Sequence, residues 1–215
     1  MKRNESTKNR ISTKKKRKPF GFGTIRKHNS KSKTCDICSS RFVNGKNYPR
    51  KIPLTTKGDI TYKLCRDCNN ELTKFNNHKK SGESYTTVLF KSRIVGAGLG
   101  LYALKDFKKG DIITEYNGER EKNDIGDSKN KTYLLEVGRN KVVDGNPRLS
   151  TNKFDLLKLG AYANDLSYTG QIHSNLKNNA FFQSLYDMNI PTINLIANKD
   201  INTLEEIYAF YKYEK

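Results

Sequence analysis

The four cysteines of the sequence fall into two pairs, each with two residues between its members. Cys35 and Cys38 form the first pair, and Cys65 and Cys68 form the second. Zn²⁺ takes four thiolates in a tetrahedron, and a Cys-x-x-Cys turn presents two of them to one metal. Redox dithiols or disulfides are the alternative, but thiols stay reduced in a chain without a secretion signal. The spacing therefore predicts one zinc ion held by all four cysteines.

The segment around these cysteines predicts a small metal-dependent module. Turn signals at Tyr48-Pro49 and Gly58-Asp59 lie between the pairs. Asn69 to Asn77 follows as a short helix with Leu72 and Phe75 on one face. This order resembles treble-clef zinc modules. A module of about 45 residues has too little core to fold alone, so we expect the metal to contribute much of its stability.

A second candidate site is the glycine cluster Gly96-Ala97-Gly98-Leu99-Gly100. Its spacing is GxGxG, and it lacks both the GxGxxG pattern and the long following helix of dinucleotide-binding folds. Taken alone, the cluster is compatible with a flexible turn as well as with a ligand-binding loop.

The chain after Ser84 predicts a β-rich α+β domain. Its strand candidates are Thr86 to Phe90, Gly100 to Leu104, Asp111 to Tyr116, Lys131 to Val137, Thr192 to Ala197 and Ile207 to Tyr211. One short helix is expected at Phe154 to Ala163.

The glycine cluster is part of a longer resemblance. Ser92 to Ala103 resembles the opening of SET-domain protein lysine methyltransferases, and Lys109 to Ile113 and Glu115 to Glu119 look like that family's next strand and turn. Ile193 to Ile201, followed by Glu205 to Tyr211, resembles the family's C-terminal signature. The resemblance implies a SET-type fold of small sheets with a C-terminal pseudoknot, behind the treble-clef-like zinc module.

The middle motif departs from the family pattern. A typical member reads Arg-Phe-x-Asn-His-Ser and then Pro-Asn-Cys, whereas this chain has Gly160 to Asp165 and, after a longer loop, Asn178-Asn179-Ala180. The family's asparagine is kept as Asn164, and Asp165 stands at the histidine position. The cysteine-rich segments that flank many members are missing, since no cysteine follows Cys68.

The resemblance implies S-adenosylmethionine as the cofactor and a protein lysine as the methyl acceptor. It assigns Tyr211 as the catalytic tyrosine. It assigns cofactor binding to Ala97, Gly98, Leu99, Gly100, Tyr116, Tyr162, Asn164 and Asp165. It assigns the substrate channel to Tyr133, Phe182 and Ala209. Aromatic residues in strands usually belong to the core, so a packing role stays open for Tyr116 and Tyr133.

The family resemblance also implies how many methyl groups are added. A tyrosine hydroxyl in the channel often holds a water that blocks higher methylation, and the two positions that commonly carry it are Phe182 and Ala209 here. Neither side chain offers a partner to a hydrogen-bonded water. We therefore expect the channel to accept dimethylation and trimethylation.

Charge separates a strongly basic N-terminal part of the chain from a nearly neutral C-terminal part. The net charge is +19, and residues 1–33 hold thirteen Lys and Arg against one acidic residue, whereas residues 81–215 hold eighteen against seventeen. We expect a basic disordered tail over residues 1–33, the zinc module over residues 34–82 and a SET methyltransferase domain over residues 83–215. The run Lys14 to Lys18 suits a phosphate contact or a nuclear-import signal, and a merely solubilising tail is the alternative.

The sequence thus predicts a nuclear, S-adenosylmethionine-dependent lysine methyltransferase of histone tails or other basic proteins. Its basic tail and zinc module are expected to contact nucleic acid or nucleosomes. One alternative is a zinc-dependent nucleic-acid-binding protein with a decayed SET domain. The other is a methyltransferase of a non-histone protein. A cytoplasmic location is also open.

No apolar run approaches the roughly 20 residues of a membrane span, so a membrane protein is not expected. The oligomeric state stays open.

Overall fold

A computed structural model describes residues 33–52, 61–122, 133–136, 141–146, 155–166, 176–187 and 190–211. The basic tail predicted for residues 1–33 lies, apart from Lys33, outside the described residues. None of the helices in the described ranges combines the length and the apolar character that a membrane crossing requires. Short strands dominate these ranges, which confirms the prediction of a β-rich α+β fold.

A hairpin and a helix surround the cysteines. Strand β1 (Tyr48–Lys51) pairs antiparallel with strand β2 (Thr61–Leu64), and helix α1 (Arg66–His78) follows. The Sγ atom of Cys65 accepts a hydrogen bond from the N–H of Cys68 and so caps the first turn of the helix. This cap explains why the helix begins before the predicted start at Asn69.

The remaining strands form three small sheets. In chain order they are β3 (Thr87–Lys91), β4 (Leu99–Ala103), β5 (Ile112–Glu115), β6 (Glu119–Lys122), β7 (Leu134–Glu136), β8 (Lys141–Asp144), β9 (Ala180–Asp187), β10 (Ile190–Ala197), β11 (Glu206–Ile207) and β12 (Ala209–Phe210). The sheet orders are β11-β4-β3, β12-β9-β10-β5 and β6-β8-β7. This arrangement of small sheets is the predicted one.

The predicted C-terminal strand, Ile207 to Tyr211, is divided between two sheets. Strand β11 pairs antiparallel with β4, whereas β12 pairs in parallel with β9. The sequence did not predict β9, which pairs with β10 along its whole length, from Ala180 opposite Ala197 to Asp187 opposite Ile190. The change of sheet occurs at Tyr208.

Tyr208 is held between two distant segments of the chain. On one side, the N–H of Ala209 donates to the carbonyl of Asn164 (3.0 Å). On the other, the N–H groups of Asn179 and Ala180 donate to the carbonyl of Tyr208 (2.9 and 3.0 Å). The C-terminal strand is therefore bound to both parts of the middle motif, as expected for the predicted pseudoknot.

The helix predicted at Phe154 to Ala163 is wrong. Its described part contains one short 3-10 helix, Gly160–Tyr162. Leu159 forms a β-bridge with Tyr116 instead, and its N–H donates to the hydroxyl of Thr114 (3.2 Å). Tertiary contacts with strand β5 thus outweigh the weak helical preference of this segment.

The main hydrophobic core contains residues from both sides of the predicted boundary at residue 82. It extends from Cys35 to Ala209 in sequence and includes Leu72 and Phe75 on the predicted face of helix α1. The ring of Phe75 meets that of Tyr85 edge-on, with the centroids 5.5 Å apart. The zinc module and the methyltransferase domain therefore share one core, and their division into separate folding units stays a prediction.

Candidate active site and metal centre

The Sγ atoms of the four cysteines all lie within 4.8 Å of one another. The side chains are buried free thiols, and the Sγ atoms of Cys38 and Cys65 are 3.7 Å apart. Four sulfurs at about 2.3 Å from one zinc ion would be about 3.8 Å apart in a tetrahedron. This group of thiols, the four-cysteine centre, therefore fits the zinc ion that the spacing predicts.

Backbone hydrogen bonds bring the two cysteine pairs together. The N–H of Asp36 donates to the carbonyl of Lys63 (3.0 Å), and the N–H of Lys63 donates to the Asp36 carboxylate (2.7 Å). Strand β2 then leads directly into Cys65. A metal binds such cysteines as thiolates, so zinc binding at this centre releases protons.

The predicted cofactor loop is a tight turn between strands β3 and β4, here called the glycine turn (residues 92–100). The N–H of Ser92 donates to the carbonyl of Gly98 (2.9 Å) and closes the turn. Gly96 and Gly98 have φ angles of +86° and +74°, a left-handed conformation that glycine adopts without steric cost. Added Cβ atoms at these two residues would meet no described atom within 4 Å. The outer side of the turn is therefore open to a ligand.

A buried carboxylate lies behind the glycine turn. Glu206 is 0% exposed, and its Oε1 accepts a hydrogen bond from the Ser92 hydroxyl (2.6 Å). Its Oε2 accepts from the N–H of Arg93 and the hydroxyl of Tyr208, both at 2.8 Å. The hydroxyl of Tyr102 lies 3.0 Å from the same oxygen. The carboxylate thus connects the end of strand β3, strand β4 and the C-terminal strand.

The two tyrosines around Glu206 stay protonated. Burial raises the pKa of Tyr102 and Tyr208 well above the ordinary value, and the nearby negative charge of Glu206 adds to this effect. Gly100 packs so closely against the same carboxylate that a Cβ would collide with its Oε1. The sequence indicated Glu206 only as part of the family's C-terminal signature. No local pattern indicated its burial, because an acidic residue beside the apolar Ile207 in a strand is expected on the opposite, solvent-facing side.

Asn164 and Asp165 connect the glycine turn to the C-terminal strand. The Nδ2 of Asn164 donates to the carbonyl of Leu99 (2.9 Å). One oxygen of Asp165 accepts from the N–H of Tyr211 (2.9 Å), and the other lies 3.4 Å from the Nδ2 of Asn178. Asp165 therefore positions the backbone of Tyr211, a role that the sequence did not predict.

Phe182 lies at the centre of an aromatic cluster formed with Tyr116, Tyr133 and Tyr211. Its ring meets the rings of Tyr116 and Tyr211 edge-on, with centroid distances of 5.3 and 4.9 Å. The hydroxyl of Tyr116 donates to the carbonyl of Tyr133. Tyr116 is buried, whereas the other three rings are half-buried, so the cluster reaches the surface. The structure therefore brings the predicted catalytic tyrosine together with three residues predicted around it.

Two further predicted site residues, Ala209 and Tyr162, differ from each other in burial. Ala209 is completely buried in the main core, opposite Ala180 of strand β9. Tyr162 is half-buried, and this burial raises its pKa to about 12, with smaller contributions from Tyr133 and from Glu71 on helix α1. The Tyr162 ring packs against the main core.

The family model of the SET domain matches residues 98–212, which is more than half of the chain. The chain belongs to the SET-domain family. A search of the curated proteins found no match. SET domains are generally protein lysine methyltransferases, and they use S-adenosylmethionine. The matched residues include Asn164 and Tyr211, whereas the four-cysteine centre precedes the matched range.

We predict one zinc ion per chain at the four-cysteine centre. Atomic emission should find one equivalent of zinc in the purified protein, because four thiolates in this geometry match the coordination of the ion. The variant C65S should retain much less zinc, since it removes one of the four ligands. A disulfide in freshly reduced native protein, or well under one zinc per chain, would contradict the assignment.

We predict that E206Q lowers the free energy of unfolding by about 3 kcal/mol. The glutamine NH2 group would face donors around Glu206, such as the Ser92 hydroxyl and the Arg93 N–H, and would leave hydrogen bonds unmade. Urea denaturation followed by circular dichroism measures the change. The matched control is E205Q, because Glu205 is only half-buried and accepts from the exposed Asn202. Equal stability losses in the two variants would refute the role of the buried carboxylate.

Proposed function

We propose that this protein is an S-adenosylmethionine-dependent protein lysine N-methyltransferase with Tyr211 as its catalytic tyrosine. The observation that carries the proposal is the pair of consecutive residues Asn164 and Asp165. Asn164 binds the backbone of the glycine turn, and Asp165 binds the backbone of Tyr211. The candidate cofactor loop and the candidate catalytic residue are therefore connected through two adjacent residues.

Methyl transfer to an amine requires that the amine is neutral and is aligned with the methyl donor. It does not require an acidic group on the protein. S-adenosylmethionine, when bound, supplies a methyl group carried on a sulfonium. The lysine ammonium, with a reference pKa of about 10.4, loses its proton more easily in surroundings that disfavour charge. The rings of Tyr116, Phe182 and Tyr211 provide such surroundings. We assign the orientation of the amine to the Tyr211 hydroxyl.

We assign cofactor binding to the glycine turn and to residues next to it. The residues of this set are Ala97, Gly98, Leu99, Gly100, Tyr116, Tyr162, Asn164 and Asp165. The left-handed Gly98 and the open outer side of the turn support this assignment, because backbone groups can approach a ligand closely there. Within the set, the Asp165 side chain acts by positioning Tyr211.

We propose the four-cysteine centre as a structural zinc site, with Cys35, Cys38, Cys65 and Cys68 as a closed ligand set. All four thiols are buried in the core that the zinc module shares with the SET domain. A closed set of four protein ligands leaves no open coordination position for a substrate. The metal therefore contributes stability to the fold and takes no part in methyl transfer.

We propose a histone tail or another basic protein as the methyl acceptor, in the nucleus. The division of charge supports this substrate, because residues 1–33 hold thirteen basic residues against one acidic residue, whereas residues 81–215 are close to neutral. A basic tail binds the phosphates of nucleic acid, while a nearly neutral SET domain does not repel a basic peptide. Exposed Arg41, Lys46 and Arg66 extend the basic surface into the zinc module.

We predict that Y211F lowers the rate of methyl transfer on the order of 100-fold or more, because it removes only the orienting hydroxyl. Transfer of a labelled methyl group into nucleosomes, free histones and lysate proteins measures the rate and ranks the substrates. Cofactor affinity, measured by calorimetry, should change little. The matched control is Y48F in strand β1, which should keep the native rate.

An unchanged rate in Y211F would refute this assignment. The hydroxyl of the neighbouring Tyr208 is engaged by the buried Glu206, which disfavours it as the catalytic group. A native protein that binds no S-adenosylmethionine would instead favour the alternative of a nucleic-acid-binding protein with a decayed SET domain.

We predict that the native enzyme forms dimethyl and trimethyl lysine. Phe182 and Ala209, the positions proposed to limit methylation, have no hydroxyl to hold a blocking water. Phe182 contacts Tyr211 directly, so F182Y adds a hydroxyl within the aromatic cluster and should shift the product towards monomethyl lysine. Mass spectrometry of a preferred peptide after long incubation measures the products. A native enzyme that stops at monomethyl lysine would contradict this prediction.

A further inference from the structure

Two basic side chains at the end of strand β3 and the start of the glycine turn contact residues that lie between the paired cysteines. The Nζ of Lys91 lies 3.0 Å from the carboxylate of Asp67, the residue before Cys68. The Nε of Arg93 donates to the carbonyl of Ile37, the residue before Cys38 (3.1 Å). Each cysteine pair is therefore contacted once, at a residue between its two ligands.

Lys91, Ser92 and Arg93 also form the base of the glycine turn. The N–H of Ser92 closes the turn on Gly98, and the hydroxyl of Ser92 donates to Glu206. The N–H of Arg93 donates to the other oxygen of Glu206. Residues 91–93 are thus bound through two side chains to residues between the cysteines, and through Ser92 and the Arg93 N–H to the buried carboxylate.

A metal ion fixes the two groups that Lys91 and Arg93 contact. Ile37 lies in a turn and Asp67 in the first turn of helix α1, and each stands between two cysteines that would bind the ion. An ion bound by all four sulfurs therefore restrains both groups, and its loss loosens both. We propose that Lys91 and Arg93 are positioning residues that couple zinc binding at the four-cysteine centre to cofactor affinity at the glycine turn.

This inference rests on the proposed function, because it takes the glycine turn as the cofactor site. Coupling between two binding sites is reciprocal, so a cofactor that binds better to the zinc-loaded protein must in turn tighten zinc binding by the same factor. The Lys91 and Asp67 side chains are 42% and 56% exposed. Contacts of this exposure are individually weak. We therefore expect a modest coupling, of about fivefold.

The experiment measures zinc affinity in the full chain with and without cofactor. Calorimetry first establishes that the zinc-loaded native protein binds S-adenosylhomocysteine. Equilibrium competition with a chromogenic chelator then gives the apparent zinc Kd, which saturating S-adenosylhomocysteine should lower about fivefold in the native protein. In the double variant K91A/R93A the same addition should leave the zinc Kd nearly unchanged.

Two matched controls separate the coupling from general stability. R50A removes an arginine of the zinc module whose Nε donates to Asn69 on helix α1. K108A removes the lysine of another exposed ion pair, with Asp200. Both variants should keep the native response of the zinc Kd to cofactor, because neither side chain joins the four-cysteine centre to the glycine turn in these contacts.

The outcomes are distinct. If the native protein binds no cofactor, the proposed function fails, and this inference fails with it. If it binds cofactor but its zinc Kd does not respond, or if K91A/R93A keeps the full response, the coupling is refuted while the proposed function stands. Should the double variant not fold, K91Q and R93Q, which keep most of the side chain, are measured singly, and each should reduce the response.

Discussion

The buried carboxylate of Glu206 is the constraint on which the rest of the site depends. A carboxylate removed from water costs several kcal/mol unless hydrogen bonds satisfy its oxygens. The donors come from Ser92 and Arg93 after strand β3 and from Tyr208 in the C-terminal strand. Because these groups are distant in sequence, satisfying one side chain fixes the glycine turn and the C-terminal strand relative to each other. The same requirement keeps position 100 a glycine, since a side chain there would displace the carboxylate.

The change of sheet at Tyr208 lies two residues after this carboxylate. Glu206 belongs to strand β11 beside β4, whereas Ala209 belongs to strand β12 beside β9. Asn179 binds both backbone groups of Tyr208, and the N–H of Ala180 in strand β9 also binds its carbonyl. The Asn164 carbonyl binds the N–H of the next residue, Ala209. The pseudoknot thus satisfies the backbone at the crossing. It also brings the segment that follows Asn164 next to Tyr211.

The sequence predicted those features that depend on residue type at fixed spacing. The Cys-x-x-Cys pairs come together in the structure, and the order of the SET motifs is confirmed by the family match. Features that depend on tertiary pairing were missed. The helix predicted at Phe154 to Ala163 is replaced by contacts with strand β5, and the apolar start of strand β9 was interpreted only as a motif and a channel residue. The position of Asp165 against Tyr211 follows from the pseudoknot, and no local pattern reports it.

The two acidic residues of the site both bind backbone N–H groups. Glu206 accepts from Arg93, and Asp165 accepts from Tyr211. A hydrogen bond from a backbone N–H to a charged acceptor is among the stronger ones, at about 1.5–3 kcal/mol, so each acid fixes the main chain firmly. These carboxylates anchor the glycine turn and the main chain of Tyr211, the proposed catalytic tyrosine. The contact with Asp165 fixes the main chain of Tyr211 through its N–H. Anchoring of this kind suits methyl transfer, because in that reaction the protein must hold the reactants in position and need not donate a proton.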